Sequence, residues 1–179
     1  MKEVLRILRA RLPADTIAEV LQLTRGEVDD LFTDGRAVSW FGELWASHVY
    51  RFQRRSSRQA PVNGRVPAKV PHDVRVRAMV KHIRFQESGD QGKGRDCDLA
   101  ALIAALERIE TVVVVDVRGW PAVNFIPVDS KALLRLVREG GLGVQGLSAK
   151  QFDAWLARTF RVVVEEIPAE RLRAPEAAA

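Results

Sequence analysis

The chain has 179 residues, 47% hydrophobic and 28% charged, a globular balance that excludes a mainly disordered protein. No segment approaches the roughly 20 apolar residues of a bilayer span, and the N-terminus, Met-Lys-Glu-Val-Leu-Arg, lacks the apolar core of a signal peptide. The single cysteine, Cys97, excludes an internal disulfide and a thiolate zinc cluster. The expectation is a cytoplasmic protein with no membrane partner and no resident cofactor.

The net charge of +5 is unevenly spread. Residues 1–34 carry 5 Lys/Arg against 7 Asp/Glu, residues 35–95 carry 13 against 4, and residues 96–179 carry 10 against 12. A basic middle third attracts polyanions, because phosphates exchange condensed counterions for Lys and Arg.

In chain order, Val4, Leu5, Leu8 and Leu12 recur at helical spacing and predict a first helix stopped by Pro13. A second helix is predicted over Asp15–Leu23. Thr24 and Glu27 form a capping-box pattern that starts a third, carrying Val28, Leu31 and Phe32, with Gly35 closing it. Ser39 is read as the N-cap of a fourth, whose stripe includes Trp40, Phe41, Leu44, Trp45, His48, Val49 and Phe52. Residues 56–71 mix Ser, Gln, Pro, Asn and Gly with basic residues and read as a linker. Residues 71–87 permit either a helix or a short strand.

Further on, Leu99, Leu102, Ile103, Leu106 and Ile109 predict a helix, and Thr111–Arg118 and Ala122–Val128 predict two strands joined by Gly119-Trp120-Pro121. Ser130–Arg138 reads as a helix ended by Gly140-Gly141. Ser148 and Gln151 cap another, and Arg161–Ile167 closes as a strand. The expected fold class is α+β: a helical region over 1–59, a basic linker over 60–71, a domain over 72–171 with a small mixed sheet flanked by helices, and a tail over 172–179.

Thr16 to Leu31 resembles the helix-turn-helix of repressor-type DNA-binding proteins. Ala18 stands at the helix crossing, Leu23 packs the turn, Thr24-Arg25 opens the second helix, and Val28 and Leu31 bury it. Gln22 occupies the turn position where that family favours glycine. The resemblance implies DNA contact through the second helix, with Arg25 as its cation. Arg51, Arg54, Arg55, Arg58, Arg65, Lys69, Lys93 and Arg95 are the candidate phosphate-tracking residues. His48, on an apolar helix face, is expected to be a satisfied core histidine, and Trp40 and Trp45 to be core.

A second pattern lies in the C-terminal part. Asp116 ends one valine run, and Asp129 and Lys131 follow the next apolar strand. This is similar to the core of PD-(D/E)xK nucleases, which implies that Asp116 and Asp129 hold Mg²⁺ while Lys131 orients the attacking water. The expected function is therefore a DNA-binding transcription regulator or accessory protein, acting as a homo-oligomer or within an assembly, with RNA as the other possible polyanion. The alternatives are a Mg²⁺-dependent nuclease and a protein-interaction adaptor, the latter suited to the acidic third helix.

Overall fold

A computed structural model describes residues 2–33, 36–52, 74–83, 85, 99–143 and 145–173. Its centre is a five-stranded mixed sheet, flanked by helices on both faces, in an α+β fold. The strands are β1 (Glu3–Arg11), β2 (Val74–Met79), β4 (Thr111–Asp116), β5 (Ala122–Asp129) and β7 (Phe160–Glu166), ordered β2-β4-β5-β1-β7. β1 runs antiparallel to β5 and parallel to β7, while β4 runs parallel to β2 and antiparallel to β5. Two short strands, β3 (His82–Ile83) and β6 (Leu147–Ser148), pair separately.

Among the described residues, three α-helices cover each face. Helices α1 (Ala14–Leu21), α2 (Arg25–Thr33) and α3 (Arg36–Tyr50) share a core with Ala10, Val113, Val115, Val123 and Phe125. Helices α4 (Leu99–Leu106), α5 (Ser130–Arg138) and α6 (Ala149–Thr159) share the other with Leu5, Ile7, Val112, Val114, Ile126 and Val128. The strand period of two sends alternate residues of each central strand into opposite cores. Such a strand reads as a near-continuous apolar run, and the Thr111–Asp116 valines are the clearest case.

The expected first helix is corrected: residues 3–11 form β1. Leu5 and Ile7 face the α4–α6 core, whereas Leu8 and Ala10 face α1–α3. Apolar residues on both faces imitate a helical stripe, and the partners that decide the matter are remote in sequence. Leu8 lies opposite Phe125, and Glu3 opposite Phe160. β1 thus places the N-terminal segment in the same sheet as β4, β5 and β7. The expected linker at 60–71 lies outside the described residues, as does Gly35.

The two capping-box signals are realised. Thr24 Oγ1 accepts from Glu27 N at 3.2 Å while Glu27 Oε2 accepts from Thr24 N at 2.7 Å. Ser148 and Gln151 form a full capping box, and Leu147 and Phe152 are buried in the same core. Of the two readings for residues 71–87, the strand is the one formed, as β2. α3 begins at Arg36, so Ser39 lies inside it rather than at its cap.

Candidate functional site

Helices α1 and α2 are joined by a turn over residues 22–24 that is made without glycine. Gln22 adopts φ 55° and ψ 37°, and its N–H bonds to Ala18 and Glu19 carbonyls. Leu23 N donates to Ala18 O at 2.9 Å, which ties the chain back as it leaves the helix. Ala18 is buried, as the crossing requires.

The second helix of the pair turns inward with its apolar side. Val28 and Phe32 are buried against the sheet, and Phe32 stacks on Trp120 at 4.4 Å between ring centroids, with 11° between planes. Arg25, the cation assigned to this helix, is held by acids of its own chain: its Nε donates to Asp29 and its Nη1 to Asp15, both at 2.7 Å. These bonds raise the guanidinium pKa, with Asp29 the larger influence. Arg25 in turn holds the Asp29 carboxyl below its usual range, helped by the Trp120 indole N–H. The outward residues of α2 include Gly26, Glu27, Asp30 and Leu31. A phosphate backbone meets no unpaired cation there and two carboxylates, so α2 is a poor reader of DNA.

The three residues of the nuclease pattern do not converge. In the β4–β5 register, Asp116 lies opposite Asn124 and Asp129 opposite Thr111. Five strand residues separate the two positions, about 17 Å at the usual rise per residue, whereas two ligands of one Mg²⁺ each approach it to about 2.1 Å. Asp116 is only 5% exposed, and its oxygens accept from Arg118 N at 3.0 Å, Nε at 2.9 Å and Nη2 at 2.8 Å. Arg118 also bridges to Asp153 of α6 at 2.8 and 2.9 Å. Its pKa is pushed up, first by Asp153 and then by Asp116. This triad ties the end of β4 to α6. Asp129 caps α5, accepting from Lys131 N at 2.6 Å, and Lys131 is exposed on the first turn of that helix. Among the described residues, no group of three His, Cys, Asp or Glu side chains could hold a metal ion.

Sequence reasoning missed the role of Arg118, and its only sequence signal was its place two residues beyond a strand acid. The missed partners Asn124, Arg9 and Glu166 continue the polar row. Arg9 Nε donates to Asn124 Oδ1 at 2.8 Å and Arg9 approaches Glu166 at 3.5 Å. In that row and the Arg118 triad, two arginines face three carboxylates, so the charges are largely neutralised within the chain.

Of the candidate phosphate contacts, Arg51 is described. It is exposed, sits just past α3 and adopts φ 54°, while Phe52 N bonds back to Ser47 O at 3.2 Å. Arg54, Arg55, Arg58, Arg65, Lys69, Lys93 and Arg95 lie outside the described residues. The histidine and tryptophan readings fare well where they fall on described side chains. His48 Nδ1 lies 2.6 Å from Leu172 O, and Trp45 is buried in the α1–α3 core. No helix among the described residues is long and apolar enough to cross a membrane. No family model, curated protein or solved structure matches the chain.

Proposed function

We propose that the protein is a nucleic-acid-binding accessory or regulatory protein that engages the polyanion through residues 51–73 rather than through α2. One observation carries this reading. Residues 51–73 contain six Lys/Arg (Arg51, Arg54, Arg55, Arg58, Arg65 and Lys69) against Asp73 alone, a balance equal to the net +5 of the entire chain. The remainder is charge-neutral, and three of its described cations, Arg9, Arg25 and Arg118, are paired with acids. A cationic stretch on an otherwise neutral protein concentrates counterion release in one place. The stretch runs between the C-terminal end of α3 and β2, two elements that pack on each other. Duplex DNA is the polyanion we expect.

Titration of labelled duplex DNA across a salt series, with and without Mg²⁺, tests the reading. Binding that weakens steeply with salt while the DNA stays intact supports it. Cleavage in Mg²⁺ would instead make the protein a nuclease. An adaptor reading has one observation in its favour: Val20 is 75% exposed, and Leu21 of α1, Leu23 of the turn and Leu31 of α2 are exposed as well. Absence of DNA binding at low salt would favour that reading.

A further inference from the structure

β7 ends the sheet, and its outer edge pairs with no strand among the described residues. Edge strands of soluble proteins are ordinarily protected by proline, lysine, bulges or a covering element, because an open row of amides and carbonyls templates another strand. Among the described residues, the centre of β7 has none of these. Val162, Val163 and Val164 are 39%, 39% and 43% exposed. They extend apolar surface on both faces: Val163 lies beside Arg6 of β1, while Val162 and Val164 flank Leu5 and Ile7 on the other face.

The polar backbone groups of this edge have a defined phase. Ile167 N donates to Arg9 O at 2.7 Å, so odd-numbered positions of β7 point their amides and carbonyls toward β1. By alternation, those of Val162 and Val164 point outward. Two copies can therefore join antiparallel in the register that sets Val162 of one chain opposite Val164 of the other, as hydrogen-bonded pairs.

That register is also the one the charges select. Centred on Val163, it sets Arg161 of each copy directly opposite Glu165 of the other, in the non-hydrogen-bonded position where side chains approach closest. Moving the centre to Val162 leaves Arg161 opposite valine, and moving it to Val164 sets Glu165 opposite valine. Both charged residues are exposed, and neither makes an ion pair among the described residues. From this charge complementarity we infer that β7 is a self-association edge: two copies pair through Phe160–Glu166 about a two-fold axis at Val163, making one ten-stranded sheet. The inference stands independently of nucleic-acid binding.

Sedimentation equilibrium of the full chain without nucleic acid tests it, with circular dichroism confirming that each variant is folded. The wild type is expected at about twice the 20.0 kDa chain mass. Arg161→Glu and Glu165→Arg should each weaken association about tenfold, since each sets like charges opposite at two symmetric positions. The double reversal Arg161→Glu/Glu165→Arg should restore it. A wild type that stays at the chain mass up to roughly 100 µM, a concentration at which even weak specific pairs associate, would overturn the inference. So would a dimer indifferent to the single reversals, or one that the double reversal fails to restore.

Discussion

Trp120 Nε1 donates to Asp29 Oδ1 at 2.7 Å, joining the turn between β4 and β5 to helix α2 across 91 positions of sequence. The same carboxylate oxygen accepts from Arg25, and the Trp120 ring stacks on Phe32 of that helix. One residue thereby anchors the helix pair to the sheet twice, through a hydrogen bond and through a stack.

Separating the two anchors is straightforward. Trp120→Ala removes both and should destabilise the fold by about 3 kcal/mol, as large aromatic truncations do. Trp120→Phe keeps a ring against Phe32 and should lose less than half as much. Urea unfolding of both variants gives the comparison.

The α1–α2 turn stores strain at Gln22, whose φ of 55° lies in the left-handed region. Glycine adopts it without the Cβ penalty, though it loses more backbone entropy on folding. We expect Gln22→Gly to stabilise the protein by about 0.5 kcal/mol, measured as a rise in the urea midpoint at unchanged m-value.

Acid should loosen this same unit. The Asp29 carboxyl is held low chiefly by Arg25, and Glu27 is held low by hydrogen bonds from Thr24, the backbone one first. A depressed folded pKa contributes stability that is fully present above the ordinary carboxylate range, near pH 4, and is lost as pH falls through the lowered folded value. Thermal melts from about pH 5 to about pH 2 should fall in midpoint, and Asp29→Asn should fall less steeply than wild type.

The two aspartates of the hairpin should separate by their structural roles. Asp116→Ala strips a buried carboxylate from Arg118 and should cost about 2 kcal/mol, discounted because the guanidinium is partly in water. Asp129→Ala loses the α5 N-cap and should cost about 1 kcal/mol. Lys131→Ala, on an exposed side chain, should be close to neutral. Unfolding curves of the three variants check this ranking.

These contrasts mark how much was legible from sequence. Signals closed within a few residues were readable: the Thr24–Glu27 and Ser148–Gln151 caps, the Gly119-Trp120-Pro121 turn, and the valine run of β4. β1 was not, because Leu5 and Ile7 serve one core while Leu8 and Ala10 serve the other, and the deciding partners, β5 and β7, lie over a hundred residues away. The acid-x-lysine pattern was visible but ambiguous, since Asp129 before a helix is also what an N-cap requires. Register alone separates it from Asp116. Arg25 likewise carried a positive charge in sequence, and only the fold brings Asp15 to neutralise it alongside Asp29.

Residues 51–73 are proposed to supply the nucleic-acid contact, and the salt dependence of duplex DNA binding reads that contact out. With all six cations engaged, the slope of log K against log salt should be about −5.4, at roughly −0.9 per phosphate contact. The triple variant Arg54→Gln/Arg55→Gln/Arg58→Gln should bring it to about −2.7, while Arg25→Gln should leave it unchanged. A slope that falls with Arg25→Gln and persists in the triple variant would rule out contact through residues 51–73 and return it to α2.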